Sequence, residues 1–371
     1  MKIQKIDVFQ KTYTMAAGKF VISGGKVATD QDSTIIRIET DNGLVGWGEQ
    51  CVFSPGYLIA HGEGARAALK LLAPAVMGMD PSTPELIYEV MEKTMKGHHY
   101  AKAAIDIACW DLFGQSTKMS VSDLLGGTHR TQIPLYAPIS MASPDEMKAD
   151  CAKWKSLGYK RFQMKVGGDY ETDLKRVEAC MSVIEGAERI IFDANGNWTQ
   201  HEAVQIVAAL DGLKIYVEQP CATIEELREL KKRVDVKIVG DEVLRKAKDP
   251  FTVDLSGAVD YLMLKVQPLG GIKRAHKLAE HHNLPVVVSS ALESAVGINY
   301  GLILAASFED MSFDCGLGTG SLLAKNVGEL PIVDGKIAIS DVTPNFDGLD
   351  VSADRYEWWK NRIMRTAELL K

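Results

Sequence analysis

Residues 261–268 read YLMLKVQP, and the lysine at the end of this apolar run decides how the fold is interpreted. The apolar residues on both sides of Lys265 are typical of a short core strand. Lysine is seldom fully buried unless it has a partner. Taken alone, the segment favours a surface lysine whose stem lies along apolar neighbours. The surrounding sequence changes that interpretation.

The segment belongs to a regular series of apolar strands, each followed by a polar loop and an amphipathic helix. The strand cores are IPLYAP (133–138), RFQMKV (161–166), RIIFDAN (189–195), KIYVEQP (214–220), VKIVGDE (236–242), DYLMLKV (260–266), LPVVVSS (284–290) and, with a weaker pattern, MSFDCG (311–316). Such a series over roughly 200 residues predicts an α/β fold, the (β/α)8 barrel. An open doubly wound sheet is the alternative, but the glycine-rich phosphate loop expected after its first strand is missing there.

The sequence before the barrel has a different pattern. STIIRIET alternates with period two, DNG (41–43) indicates a hairpin turn, and residues 61–114 have helical periodicity. We therefore predict an α+β domain over residues 1–125, the barrel over residues 126–330, and a C-terminal segment, residues 331–371, that returns to the first domain. The glycine-rich segment 15–26 is a candidate lid.

Composition excludes several classes of protein. The chain has 371 residues, 46% hydrophobic and 25% charged, which is typical of a globular protein, and its net charge of −7 gives no basic surface for nucleic acid or membrane lipid. No segment has the pattern of a signal peptide or a membrane span. The six cysteines form no CxxC pair. We expect a cytoplasmic protein with reduced thiols that binds neither nucleic acid nor membrane and forms a homo-oligomer.

Five consecutive strands end in a charged residue. These residues are Lys165, Asp193, Glu218, Asp241 and Lys265, and they follow one another at intervals of 23 to 28 residues, about the length of one βα unit. Each has an ordinary explanation when taken alone, such as a helix cap or a solvated side chain. Catalytic groups of a barrel collect at the carboxyl ends of its strands, so the even spacing predicts that all five share one mouth.

The order of these residues predicts a chemistry. Asp193, Glu218 and Asp241 end neighbouring strands, so their carboxylates should converge and repel unless a cation compensates them. An oxygen-only set suits Mg²⁺, or Mn²⁺, better than Zn²⁺. Lys165 and Lys265 end strands four places apart in a ring of eight, so they should face each other across the metal.

A metal that holds a substrate carboxylate lowers the cost of removing the proton on the adjacent carbon, which gives an enediolate. A partly desolvated lysine with a lowered pKa can take that proton. The opposite lysine can then protonate the far face, which inverts the centre, or protonate a leaving group.

These motifs resemble the enolase superfamily, and within it the subgroup typified by muconate-lactonising enzyme. The resemblance covers essentially the whole chain and includes LVGWGE, YAKAAIDIACWDLFGQ before LLGG, QMK, DANGNW, VEQP, GDE and LKVQPLGGI. It implies that the first domain caps the barrel and that Asp193, Glu218 and Asp241 bind Mg²⁺. It also implies that Lys165 and Lys265 are the acid/base catalysts.

Departures from the family pattern narrow the choice of substrate. Gln163 replaces the usual lysine, and together with HHYAKAAIDIA and FSPGY (53–57) it is similar to the branch that acts on proline betaines and hydroxyprolines. No His-Asp dyad follows the sixth and seventh strands, unlike the mandelate racemase pattern. DCG (314–316) does not match the Asp-x-Asp of dipeptide epimerases, and SSALES (289–294) differs from the betaine epimerase segment. These departures favour a free hydroxyproline.

The leading hypothesis is dehydration of an imino-acid carboxylate, cis-3-hydroxy-L-proline, to Δ1-pyrroline-2-carboxylate. Its hydroxyl and carboxylate share one ring face, so the α-hydrogen lies on the other, and two opposed lysines suit the anti elimination. Epimerisation of hydroxyproline or proline betaine at C2 stays open. A dipeptide epimerase, a cycloisomerase and a non-catalytic binding protein are less favoured.

The candidate substrate contacts come from several loops. They are Ser54 and Tyr57 of the first domain, Gln163 for the carboxylate, Asn195, and Glu293 for a ring ammonium.

Overall fold

The computed structural model of the chain describes residues 1–54, 56–210, 213, 215–311, 313–347 and 353–369. Four of the segments named above contain residues outside this set. They are FSPGY at Pro55, KIYVEQP at Lys214, MSFDCG at Ser312, and the C-terminal segment at residues 348–352 and 370–371.

The N-terminal domain is an antiparallel sheet packed against helices. Its elements are β1 (Ile3–Thr14), β2 (Phe20–Ile22), β3 (Lys26–Ala28), β4 (Asp30–Thr40), β5 (Val45–Val52), α1 (Gly62–Val76), α2 (Pro84–Thr94), α3 (His99–Thr117) and α4 (Val121–Leu125). β1, β4 and β5 form one sheet, with the predicted DNG turn between β4 and β5, and β2 and β3 form a separate hairpin. This arrangement confirms the predicted α+β domain.

Helix α3 joins the N-terminal domain to the barrel. Most of its residues are buried, because it packs on β5 on one side and on a short barrel helix on the other. Gly46 and Gly48 of β5 allow this close approach, since a Cβ on Gly48 would overlap the backbone oxygen of Ala104 in α3. The sheet is therefore held at a fixed distance from the barrel.

The barrel alternates strands and helices along the chain. Its elements are β6 (Gln132–Pro134), β7 (Ala137–Ile139), α5 (Pro144–Ser156), β8 (Arg161–Lys165), α6 (Tyr170–Ile184), β9 (Arg189–Asp193), α7 (Gln200–Ala209), β10 (Ile215–Glu218), α8 (Ile224–Lys231), β11 (Lys237–Gly240), α9 (Glu242–Arg245), β12 (Tyr261–Leu264), α10 (Val266–Leu269), α11 (Ile272–His282), β13 (Val286–Val288) and α12 (Ala295–Ala306). They are followed by β14 (Ile332–Val333), β15 (Lys336–Ala338) and α13 (Ala353–Leu369). None of the helices in the described residues is both long and apolar enough to cross a membrane.

Strands β7 to β13 pair in parallel and in sequence order, which gives a curled sheet of seven strands. Cys315 and Gly316 join its two edges: Cys315 N–H donates to the carbonyl of Pro134 (2.8 Å), and Gly316 N–H donates to that of Val288 (2.9 Å). In the described part of the chain, the eighth strand expected at 311–316 is thus reduced to two bridging residues. The predicted α/β barrel with an N-terminal α+β domain is confirmed.

The first predicted strand, 133–138, is wrong as a single element. The structure divides it into β6 and β7, and β6 leaves the ring to pair antiparallel with β15, where Ile133 faces Ile337. Pro134 and Pro138 lack the backbone N–H that a continuous strand would donate. Further along the C-terminal segment, the ring of Phe346 packs on Phe9 of the N-terminal domain, with centroids 5.0 Å apart.

Inward-facing residues close the barrel below its mouth. Ile191, Val239 and Met263 belong to one buried apolar cluster, and each lies two residues before a predicted site residue on its own strand or at its end. Because strand side chains alternate with period two, the site residues also point into the barrel. The charged groups therefore stand on a dry apolar layer.

Candidate active site

The structure brings the five strand-end residues together at the carboxyl end of the barrel. Asp193 lies in register between Lys165 and Glu218 on adjoining strands. Asp241 and Lys265 directly follow β11 and β12. The three carboxylates are at most 1% exposed, and the two lysines are about nine-tenths buried.

Each carboxylate is paired with a nitrogen donor. The Lys165 ammonium donates to Asp193, and the Lys265 ammonium donates to Asp241 Oδ2 (2.7 Å). Gln163 Nε2 donates to Glu218 Oε2 (2.6 Å) and lies 3.4 Å from Asp193 Oδ2. In this arrangement the described residues contain no group of three side chains placed to bind a metal ion.

Burial and nearby charges shift the pKa values of Glu218 and Asp241 in opposite directions. Burial, together with Asp193, raises the pKa of Glu218 well above its usual value. Burial alone would raise the pKa of Asp241, but Arg245 and Lys265 hold it well below its usual range. The two carboxyls therefore differ because Arg245 and Lys265 donate hydrogen bonds directly to Asp241, whereas the lysines near Glu218 lower its pKa less than burial and the charge of Asp193 raise it.

The expected lowered pKa is wrong for Lys165 in this arrangement. Burial alone would lower the pKa of Lys165, but the charges of Asp193 and Glu218 outweigh it and raise the pKa. The sequence placed the lysine correctly at the strand end but did not anticipate that its ammonium would lie directly on a carboxylate.

The chemistry of the carboxylate set fits a hard divalent cation. One nitrogen of Gln163 reaches oxygens of both Asp193 and Glu218, so these carboxylates converge on one small space. Their ligand atoms are all oxygens, which Mg²⁺ prefers. A cation in that space would relieve the repulsion.

A cavity opens above these residues, between the two domains. The N-terminal domain supplies an apolar roof that includes Phe20, Ile22, Phe53, Leu58 and Tyr100. The barrel supplies polar and charged side chains. Among the residues predicted to be in the site, those that line the cavity are Tyr57, Gln163, Lys165, Asn195, Glu218 and Lys265.

Two of the predicted substrate contacts are not among the cavity-lining residues of the described chain. Ser54 instead organises a turn, in which its carbonyl accepts hydrogen bonds from the N–H groups of Tyr57 (3.1 Å) and Leu58 (2.9 Å). Glu293 is 3% exposed, and its carboxylate accepts from the N–H of Ala291 (2.5 Å). Burial raises the pKa of Glu293 to about 7.

Sequence reasoning missed two residues that hold Tyr57. The Tyr57 hydroxyl contacts Glu242 and Arg245, and it accepts a hydrogen bond from Asn195 Nδ2 (3.1 Å). Arg245 also donates to Asp241 Oδ1 through Nε (2.9 Å). Its position four residues after Asp241, on the same helical face, is the signal that could have revealed it.

The candidate lid, residues 15–26, forms part of the closed mouth. Phe20 and Ile22 of the β2–β3 hairpin line the cavity. The hydroxyl of Ser23 donates to the carbonyl of Asp193 (2.7 Å), and the N–H of Val21 donates to Ser140 Oγ (2.9 Å). The hairpin is thus tied to the barrel through β2 and the turn that follows it.

The side of the mouth away from the carboxylates carries hydroxyl groups. Tyr136 OH lies 3.2 Å from Ser289 Oγ, and Ser290 Oγ lies 2.6 Å from Thr319 Oγ1. Gly316 lies between them and has no room for a side chain, since a Cβ there would overlap the hydroxyls of Tyr136 and Ser289. All five residues line the cavity.

Comparisons with known proteins cover both domains. The family model "Mandelate racemase / muconate lactonizing enzyme, N-terminal domain" matches residues 5–126, and "Enolase C-terminal domain-like" matches residues 146–355. The chain is 38% identical over 291 residues to a cis-3-hydroxy-L-proline dehydratase of Roseibium aggregatum, which covers 78% of this chain and 79% of that protein. It is 40% identical over 250 residues to an o-succinylbenzoate synthase of Mycobacterium ulcerans, covering 65% and 75%.

A solved structure gives a third comparison. The dipeptide epimerase of Enterococcus faecalis V583, complexed with Mg and the dipeptide L-Leu-L-Tyr, matches with a TM-score of 0.85 and 28% identity. The match covers 93% of this chain and 99% of that one.

Proposed function

The chain belongs to the enolase superfamily of enzymes, in its mandelate racemase/muconate lactonizing enzyme family, and on this basis we propose that it dehydrates cis-3-hydroxy-L-proline. The product is Δ1-pyrroline-2-carboxylate. The observation that carries the proposal is the pair of lysines, Lys165 and Lys265, which line one cavity together with Glu218. The 38% identity to a cis-3-hydroxy-L-proline dehydratase supports the choice of substrate.

Ring geometry supports opposed roles for the two lysines. β8, which ends in Lys165, and β12, which precedes Lys265, are four places apart in the ring. A substrate held between them presents one face to each ammonium. A lysine can act as a general acid or base when its amine lies within hydrogen-bond reach of the substrate atom that gains or loses the proton.

The metal assignment rests on the three carboxylates at the ends of neighbouring strands, of which Glu218 lines the cavity. Asp193, Glu218 and Asp241 would hold Mg²⁺, or Mn²⁺, which when bound supplies Lewis-acid stabilisation of negative charge on the substrate carboxylate. The oxygen-only donor set supports Mg²⁺, as does the Mg in the dipeptide epimerase complex.

One lysine, as a neutral amine, takes the α-proton from C2, and the electron pair of the broken C–H bond moves onto the carboxylate to give the enediolate. This electron pair then forms the C2–C3 double bond as the C3–O bond breaks. The opposite lysine, as an ammonium, gives its proton to the departing hydroxyl, which leaves as water. The enamine product then tautomerises: C3 gains a proton, the ring nitrogen loses one, and the cyclic imine results.

The remaining walls of the cavity suit a small ring. The apolar roof can cover ring methylenes and keep water from the reacting carbons. The hydroxyl groups of Tyr136, Ser289, Ser290 and Thr319 can bond a small polar substituent. Asp314, the acid at the position where dipeptide epimerases have Asp-x-Asp, instead pairs with Arg161 (2.6 Å) and does not line the cavity of the described chain.

A second candidate is epimerisation of hydroxyproline or proline betaine at C2. It uses the same two lysines, and the similarity to a dipeptide epimerase supports it. The chain is 38% identical to the dehydratase over 291 residues and 40% identical to an o-succinylbenzoate synthase over 250 residues. Sequence identity alone therefore does not decide which reaction the chain catalyses.

The deciding experiment is NMR of cis-3-hydroxy-L-proline incubated with the protein and Mg²⁺ in D2O. We expect the C2 proton signal to disappear while signals of the cyclic imine grow. Deuterium at C2 with retention of the C3 hydroxyl and formation of the other C2 isomer would favour the epimerase. Absence of exchange and of turnover for cis-3-hydroxy-L-proline, L-proline and proline betaine would refute both.

A further inference from the structure

We infer that Arg245 is a further catalytic residue, and that its unpartnered guanidinium nitrogen binds the substrate carboxylate. This inference rests on the proposed function, since it names the substrate group that Arg245 contacts. It gives the site a third cation, separate from the two lysines.

Two nitrogens of Arg245 are fixed by the protein. Arg245 lies on the short helix α9 and is 6% exposed. Nε donates to Asp241 Oδ1 (2.9 Å), and Nη2 donates to Glu242 Oε1 (2.6 Å) and contacts the Tyr57 hydroxyl. The guanidinium plane is therefore held in one orientation.

The third nitrogen, Nη1, is buried and has no hydrogen-bond partner among the described residues. A buried unpartnered donor costs about 1–3 kcal/mol, and more when it is charged. Such an atom in a native protein calls for an explanation, and in this case the residue lines the cavity. A ligand in the cavity would supply the missing acceptor.

Neighbouring acceptors do not account for Nη1. Glu242 Oε2 and Asn195 Oδ1 are also without partners, although both residues contact the same Tyr57 hydroxyl as Arg245. Nη1 bonds neither of these free acceptors. Arg245 lines the cavity, where a ligand can supply the acceptor that Nη1 lacks.

A carboxylate fits this nitrogen best. Guanidinium–carboxylate hydrogen bonds are charge-assisted and about twice as strong as neutral ones. Gln163, which was expected to bind the carboxylate, already donates to Glu218 and Asp193. The proposed substrate has one carboxylate, and it gains charge as the enediolate forms.

Arg245 also differs from the lysines in keeping its proton. Lys165 and Lys265 each gain or lose a proton during the proposed reaction, whereas a guanidinium stays protonated. A fixed positive charge at the carboxylate can therefore stabilise the enediolate through the whole reaction without reorganisation. The effect should be larger for the enediolate than for the substrate, so it should lower the barrier.

The test compares two planar probes of similar shape, pyrrole-2-carboxylate and pyrrole-2-carboxamide. The first presents two charged acceptor oxygens, and the second presents one neutral carbonyl oxygen and an NH2 donor. Binding of each is measured by calorimetry to the Mg²⁺-loaded protein and to Arg245→Met, and Mg²⁺ affinity is measured separately. We expect Arg245→Met to weaken binding of pyrrole-2-carboxylate by roughly 10- to 100-fold and binding of pyrrole-2-carboxamide by much less. Arg245→Lys, which keeps the charge beside Asp241 but loses the planar fork, should show an intermediate loss.

Lys246→Met is the matched control. Lys246 is the next residue, and its ammonium also lies over the Tyr57 ring (5.0 Å to the centroid), but it is exposed and outside the cavity lining. It should leave both affinities unchanged. Carboxylate binding by Arg245→Met at wild-type affinity would overturn the inference.

An equal loss of affinity for both probes would also overturn the inference, and so would a parallel loss of Mg²⁺ affinity. In either case Arg245 would only position Asp241. Failure of the proposed function gives a different result. In that case no imine forms from cis-3-hydroxy-L-proline, while the arginine-dependent preference for the carboxylate probe persists and supports the inference.

Discussion

The two sides of the barrel mouth hold their polar groups in different ways. On the carboxylate side, formed by Asp193, Glu218 and Asp241, every charge is buried and paired with a nitrogen from a neighbouring strand or helix. On the hydroxyl side, formed by Tyr136, Ser289, Ser290, Gly316 and Thr319, the cavity lining is uncharged.

From this difference we expect the carboxylate side to carry out the proposed chemistry and the hydroxyl side to select the substrate. A buried charge is expensive unless it is paired, so the carboxylate side tolerates little change in its partners. The hydroxyl side bonds through short neutral groups whose positions depend on how the ring closes at residues 315–316. We expect changes on the first side to abolish turnover, and changes on the second side to alter affinity and stability.

The largest effect should come from the carboxylate side. Lys265→Ala removes one of the two opposed ammonium groups but leaves Asp241 paired with Arg245 through Oδ1. Turnover should fall by about 10²- to 10⁴-fold, the usual contribution of an acid or base, while Mg²⁺ still binds. The measurements are kcat by NMR and Mg²⁺ affinity by calorimetry.

Lys237→Ala is the control for this variant. Lys237 begins β11 at the opposite end of the barrel and pairs with Asp260 on the surface. It should keep full activity. If Lys265→Ala turned over at the wild-type rate, the proposed role of Lys265 would be refuted.

The next largest effect is a pH dependence of the free energy of unfolding. It comes from Glu293, which follows Ser289 and Ser290 of the hydroxyl side in the sequence. Glu293 is a buried acid whose pKa is raised to about 7 by burial, whereas Asp241 is buried with cations and has a lowered pKa. A raised pKa in the folded state means that Glu293 stabilises the fold fully below about pH 4.5 and loses this contribution as the pH rises through about 7.

Glu293→Gln should remove that loss. Between pH 5 and pH 8, the free energy of unfolding should fall by roughly 1–3 kcal/mol more in the wild type than in the variant. Urea denaturation at the two pH values measures the difference. Identical pH dependence in both proteins would show that Glu293 does not titrate in this range.

The two sides also differ in how well the sequence predicts them. The sequence predicted the five charged strand-end residues because they recur once per βα unit, a local periodicity that a single sequence displays. The contact between Arg245 and Tyr57 could not be found in this way, because Tyr57 lies 188 residues earlier in the chain. Glu293 was expected at the cavity, but its burial depends on how α12 and β5 pack together, which periodicity does not reveal.

Closure of the ring was the least predictable feature of the fold. The barrel and the N-terminal domain follow from strand and helix periods, but β6 pairs with β15, about 200 residues away in sequence. Among the described residues near 311–316, the expected strand is reduced to two bridging residues, which have no strand pattern of their own. Long-range pairing decided both cases.

The smallest effect, and the most direct test of the hydroxyl side, comes from a pair of glycines that both line the cavity, Gly316 and Gly318. A Cβ on Gly316 would overlap the hydroxyls of Tyr136 and Ser289, whereas a Cβ on Gly318 would meet its nearest neighbour, Leu135 Cδ1, at an ordinary 3.4 Å. Gly316→Ala should therefore lower the free energy of unfolding by about 1–3 kcal/mol and raise KM. Gly318→Ala should change both much less, and equal effects of the two variants in urea unfolding and steady-state kinetics would contradict the tight packing of the hydroxyl side.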